Sequence, residues 1–84
     1  MQRYSILWVD DEIELLKPHV LFLENKGYAI TGINNGSDAL DLIGENNYDL
    51  VFLDENMPGM NGLETLGYIK STHPFLPVVM ITKN

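Results

Sequence analysis

Apolar residues in this chain gather into four short runs, separated by longer stretches in which they recur at helical spacing. Tyr4 to Val9 (YSILWV) is strongly apolar and closed by three acids, which predicts a buried strand. From Glu12 to Lys26 the apolar positions are 13, 16, 20 and 23, with 15 and 22 alongside, and Gly27 is a stop signal for that helix. Pro18 lies inside the stretch, where it lacks a donor and its ring crowds the carbonyl of Glu14. The pattern leaves two options open: a helix kinked at Pro18, or one that properly begins near Lys17.

Tyr28 to Ile33 predicts a second strand, ended by Asn34-Asn35-Gly36. Ser37 is the expected N-cap of a helix reaching about Gly44, with Ala39, Leu40, Leu42 and Ile43 as its apolar face. Asp49 to Leu53 (DLVFL) predicts a third strand, again followed by acids, Asp54 and Glu55. The loop Met57-Pro58-Gly59-Met60-Asn61-Gly62 is dense in turn formers, and a helix from about Leu63 to Ser71 follows, ended by His73-Pro74. Pro77 to Thr82 (PVVMIT) predicts a fourth strand, with proline at its first position, where a missing donor is tolerated. The order β-α-β-α-β-α-β with short loops implies an α/β, doubly wound parallel sheet with right-handed crossovers. Such a sheet ordinarily continues with a helix over its fourth strand, so residues 1–84 read as one incomplete domain.

Composition narrows the function. Twelve acids against five Lys and Arg give a net charge of −7, and no two basic residues are adjacent. That excludes a patch able to neutralise a run of phosphates, so direct nucleic-acid binding by this segment is not expected, nor is attraction to anionic lipid. With no cysteine there is no disulfide framework, thiol nucleophile or Cys-based zinc site. No apolar run approaches membrane-spanning length, and the N-terminus lacks a signal-peptide pattern, so the expected location is cytoplasmic.

Three apolar strands end in polar residues: Asp10-Asp11-Glu12, Asp54-Glu55 and Thr82. Parallel strands place these ends on one edge of the sheet, where open α/β folds bind ligands. If the first and third strands are neighbours, Asp10, Asp11 and Asp54 converge. Like charges there oppose folding, so the site calls for a cation. Carboxylate oxygens with a backbone carbonyl form a hard-ligand set suited to Mg²⁺. A metal beside a carboxylate points to phosphoryl transfer, with the Asp as nucleophile and the Thr82 hydroxyl on a phosphoryl oxygen. The plainer reading stands beside it: Asp10 or Asp11 capping the next helix, Asp54 and Glu55 as solvated loop acids. His19 and His73 read as surface and turn residues, Trp8 as core, and Met57, Met60 and Met80 as packing.

Val9-Asp10-Asp11-Glu12 after a strand, Leu53-Asp54 followed by Met57-Pro58 and Gly62, and a strand ending at Thr82 together resemble the receiver domain of two-component response regulators. The phrases ILWVDDEIELLKPH, DENMPG, GLETL and VVMITK are similar in particular to PorX-type regulators, whose receiver precedes a PglZ effector domain of the alkaline-phosphatase superfamily. The resemblance implies a flavodoxin-like receiver fold with strand order 2-1-3-4. It implies a signalling switch rather than an enzyme, accepting a phosphoryl group on Asp54 from a sensor histidine kinase. Asp11 would then ligate Mg²⁺ directly, Asp10 through water, and Asn56 through its backbone carbonyl, while Thr82 would act as the switch hydroxyl. The implied partners are the kinase and a downstream effector domain or protein.

The family's lysine and aromatic switch residue belong to a fifth strand. The resemblance therefore makes residues 1–84 the first two-thirds of the domain, lacking the last helix before that strand, the strand itself and the final helix. Lys83 stands where the family usually has a small residue, and it would either narrow access to Asp54 or lend it charge. An exposed fourth strand would favour a homodimer or a swapped oligomer. Two other classes compete. An aspartyl phosphatase needs Asp-x-Asp-x-Thr, but Asn56 and Pro58 fill the second and third positions. A pseudo-receiver used only for docking would have no need of an intact Asp54 and acidic pair.

Overall fold

The computed structural model describes residues 3–82. Four parallel strands, β1 (Ser5–Val9), β2 (Ala29–Ile33), β3 (Leu50–Asp54) and β4 (Val78–Ile81), form one sheet in the order β2-β1-β3-β4. The helices α1 (Lys17–Asn25), α2 (Gly36–Glu45) and α3 (Gly62–Thr72) are the crossovers. This is the flavodoxin-like architecture expected of the sequence, with the expected strand order.

Right-handed crossovers on either side of β1 send α1 to one face of the sheet and α2 and α3 to the other. Side chains alternate along each strand, so Leu7, Val9, Val51 and Leu53 meet α2 and α3. With Ala39, Ile43, Met57 and Ile69 they form the main core. Ile6, Trp8 and Phe52 point the other way, and the Trp8 and Phe52 rings meet edge to face with centroids 5.2 Å apart. Register continues that row from Trp8 and Phe52 to Val79 on β4, which is an outer strand of the sheet.

The two options left by Pro18 are settled locally. Ile13–Leu16 form a 3₁₀ helix, and α1 starts at Lys17 with Pro18 in its first turn. There the absent N–H has no carbonyl to lose. The helix ends before Gly27, whose φ of 101° is one that a residue with a Cβ rarely adopts.

The N-cap of α2 is Asn35 rather than Ser37. Asn35 is extended and its Oδ1 accepts the Asp38 N–H at 2.8 Å, so the helix starts in what the sequence suggests is only a turn. Asn61 caps α3 reciprocally with Glu64: the Glu64 N–H donates to Asn61 Oδ1 at 2.9 Å, and Glu64 Oε1 accepts the Asn61 N–H at 3.3 Å. α3 accordingly begins at Gly62 rather than Leu63. β3 is displaced by one residue from expectation, so that Asp54 is its last residue and not the first of the loop. Asp49, just before it, pins the register instead, its Oδ2 accepting the Ser5 N–H at 2.7 Å.

Candidate functional site

The carboxyl edge of the sheet is built by β1, β3 and β4. Val9 pairs with Leu53 and Asp54 with Ile81, so Asp10 and Asp54 leave neighbouring strands side by side, and Thr82 follows the residue aligned with Asp54. The Glu55 N–H donates to Ile81 O at 2.9 Å, which carries the β3–β4 pairing one residue past Asp54.

Asp10 and Asp54 are almost completely buried, at 1% and 0% exposure, whereas Asp11, Glu12, Asn56 and Thr82 are exposed. The buried pair share one local device. Asp10 Oδ1 accepts the Glu12 N–H at 2.8 Å, and Asp54 Oδ1 accepts the Asn56 N–H at 3.1 Å. Each aspartate thus closes a turn over its own strand end. The plainer reading fails in both parts: neither Asp10 nor Asp11 caps the helix that follows, whose N-cap has no side-chain hydrogen bond, and Asp54 is a buried strand residue rather than a solvated loop acid. The local turns account for one oxygen of each buried aspartate. They do not explain why the carboxylates are buried, since taking such a charge out of water is costly without compensation.

Among the described residues, the acids whose oxygens lie within 4.8 Å of one another are Asp10, Asp11 and Glu12. Asp54 is not a member of that group, although the register seats it on the adjacent strand. Glu12, which sequence reasoning did not count among the candidate ligands, is a member of that group. The turn closed by Asp10 draws it in, and its signal was in plain view as the third member of an acidic triplet. Lys83 lies outside the described residues.

The residues after Asp54 form a loop that returns to the sheet edge. Met57 is buried in the main core, and the Gly62 N–H donates to Glu55 O at 3.0 Å, which closes the loop on itself. A shallow depression of about 400 Å³ beside it is lined by Glu55, Asn56, Met57, Pro58, Asn61 and Leu63. The larger cleft, about 450 Å³, lies at the opposite edge around Tyr48, Asp49, His73 and Phe75 and touches none of the strand-end acids of β1 and β3. Among the described residues no helix is long and apolar enough to cross a membrane.

The chain is similar to the uncharacterized transcriptional regulatory protein YkoG of Bacillus subtilis, at 39% identity over 82 residues, covering 98% of this chain and 36% of that protein. The CpxR homolog of Haemophilus influenzae is 43% identical over 78 residues, covering 93% and 34%. The chain therefore spans about a third of the length of these curated relatives. Among solved structures, the response regulator TrrA of Thermotoga maritima in complex with Mg²⁺-BeF superposes with a TM-score of 0.87 at 37% identity, covering 96% of this chain and 70% of that one. TrrA also matches in its complex with the histidine kinase ThkA, with a TM-score of 0.87. The model of the response regulator receiver domain matches residues 6–84, which is nearly all of the chain, and together with the strand order and the acidic edge this makes the chain a member of the receiver-domain family of two-component response regulators.

Proposed function

We propose that this receiver domain is a phosphorylation-dependent switch whose acceptor is Asp54. The observation that carries the reading is the burial of the Asp54 carboxylate at the end of a central strand, beside the equally buried Asp10. An Asp54 carboxylate oxygen attacks the phosphorus of a kinase phosphohistidine or of a small acyl phosphate. The bond from phosphorus to the leaving nitrogen or oxygen breaks, and its electron pair stays with the leaving group, which takes up a proton where it needs one.

Asp10, Asp11 and the backbone carbonyl of Asn56, with Asp54 itself, are the assigned ligands of Mg²⁺, and Glu12 lies close enough to contribute through water. An all-oxygen donor set with two exposed carboxylates fits that ion, which keeps several waters. When bound, it neutralises charge on the phosphoryl oxygens. The chain's own residues orient the acceptor: the Asn56 N–H holds Asp54 Oδ1 at 3.1 Å and so fixes the carboxylate's rotation at the strand end. Thr82, one residue beyond the strand position facing Asp54, is assigned the switch hydroxyl. TrrA, solved both with Mg²⁺-BeF and with a histidine kinase, supports carrying the metal and the kinase partner to this chain.

The same reading places the protein in the cytoplasm, with an effector acting downstream and any catalysis limited to its own phosphorylation and dephosphorylation. The phrase matches to PorX-type regulators favour a PglZ effector. The open edge of β4 and the 47% exposure of Val79 favour self-association of the 84-residue chain. A mass that stays monomeric in light scattering across a dilution series would rule this out. For the acceptor, acetyl phosphate and Mg²⁺ should add one phosphoryl group to the wild type and none to Asp54→Asn, read by mass spectrometry. Equal labelling of the two moves the acceptor elsewhere.

A further inference from the structure

Gly62, the first residue of α3, touches the backbone of the acceptor strand. A Cβ placed on it would lie 2.3 Å from the Asp54 carbonyl oxygen, 2.7 Å from Glu55 Cα and 3.0 Å from the Asp54 carbonyl carbon. All three are backbone atoms, so no rotamer change relieves the overlap. Positive φ among the glycines is confined to Gly27 and Gly59, so what position 62 requires is room rather than an unusual conformation.

Two further contacts fix this junction. The Gly62 N–H donates to Glu55 O at 3.0 Å, and the reciprocal cap between Asn61 and Glu64 sets where α3 begins. The span from Glu55 to Asn61 is thereby closed at its base. Its second residue, Asn56, holds Asp54 Oδ1 with its N–H. We infer that Gly62 is a positioning residue for phosphoryl acceptance: by letting α3 seat directly on the Asp54–Glu55 peptide, it sets the orientation of the acceptor carboxylate and of the Asn56 carbonyl. The inference rests on Asp54 being the acceptor. A methyl group at 62 must lift α3 or rotate that peptide, and either motion is transmitted to Asn56.

Gly36 supplies the control that separates this role from packing. A Cβ there would lie 2.3 Å from Thr65 Oγ1 and 3.4 Å from Met60 Sδ, which are side-chain atoms between α2 and α3 and away from the acid-bearing strand ends. Gly67, on α3 itself, has nothing within 4 Å of an added Cβ.

The test uses the intact protein at a temperature where urea melts show every variant folded. It reads two quantities: the rate of Asp54 labelling by acetyl phosphate at saturating Mg²⁺, and the Mg²⁺ dissociation constant from Trp8 fluorescence. Gly62→Ala should label at least tenfold more slowly and bind Mg²⁺ several-fold more weakly. Gly36→Ala, though destabilised, and Gly67→Ala should both stay within twofold of wild type. Asn61→Ala loosens the start of α3 without any overlap; should Gly62→Ala fail to fold, a threefold or greater slowing in Asn61→Ala supports the inference and a wild-type rate overturns it. A wild-type rate in Gly62→Ala, or an equal loss in Gly36→Ala, leaves Gly62 a packing residue and overturns the inference. A wild type that does not label on Asp54 removes the acceptor assignment itself, and this inference with it.

Discussion

The two faces of the sheet are covered in different ways. On the side of α2 and α3, both helices bury residues against the strands, Ala39 and Ile43 from one and Ile69 from the other. The buried polar side chain on that side, Thr65, donates to Asn61 O at 2.8 Å. On the opposite side α1 buries no residue fully, and its Leu21 and Phe22 are more than half exposed. There the cover comes largely from the strands' own rings, Trp8 against Phe52, and from Ile13 lying over Gly32. The Trp8 indole N–H is buried with no acceptor among the described residues. Within residues 3–82 the face under α2 and α3 is thus the more completely covered of the two. The acids Asp10 and Asp54 continue the row of the less covered face, following Trp8 and Phe52 at the alternate positions.

Truncations on the two covering helices should expose this difference most strongly. Ile69→Ala empties a fully enclosed site and should cost about 3 kcal/mol, whereas Leu23→Ala, half-buried on α1, should cost about 1–2 kcal/mol. Equal shifts of the urea midpoint would erase the distinction. Trp8→Phe keeps an aromatic ring against Phe52 and removes the orphaned donor, so it should fall within about 1 kcal/mol of wild type despite the loss of ring area. A large loss would mean that the indole is bonded after all.

At the carboxyl edge, Asp11→Asn relieves repulsion within the acidic group and should stabilise the metal-free protein by about 0.5 kcal/mol while abolishing the Mg²⁺ response of Trp8 fluorescence. Destabilisation together with an unchanged response would take Asp11 out of the metal site. Leu21→Ser, on the exposed surface of α1, should move stability by less than about 0.5 kcal/mol. A thermal melt that falls by several degrees would show that this side of α1 is covered in solution.

Much of this was legible in the chain, for identifiable reasons. Short apolar strands separated by helical spacing give the element order, and acids placed directly after two of those strands mark the edge where chemistry belongs. Strand order was not contained in periodicity and came through the resemblance. The boundaries that shifted did so where a side chain competes for a backbone donor: Asn35 caps α2 although its neighbours Asn34 and Gly36 read as a turn, and Asn61 starts α3 one residue early. Glu12 was overlooked because a turn closed by Asp10, not any helical or strand period, brings it alongside. The constraint on Gly62 was invisible for a related reason. A glycine in a turn-rich loop suggests conformational freedom, whereas here the requirement is the nearness of a strand distant in sequence.

Strand β1 is an inner strand of the sheet and precedes both of its neighbours in the chain. Its Ser5–Val9 edge toward β2 can close once Ala29–Ile33 has been made. Its other edge has to wait for Leu50–Leu53, by which time α1, β2 and α2 have already been made. Assembly therefore has a built-in delay. A strand carrying Ile6, Leu7, Trp8 and Val9 stands half-paired while the middle of the chain is still being synthesised. Ribosome-stalled chains ending before Leu50 should be protease-sensitive and bound by chaperones, and protection should appear abruptly once Leu53 has cleared the exit tunnel. A gradual gain of protection along the chain would instead indicate that the β1–β2 unit closes independently of β3.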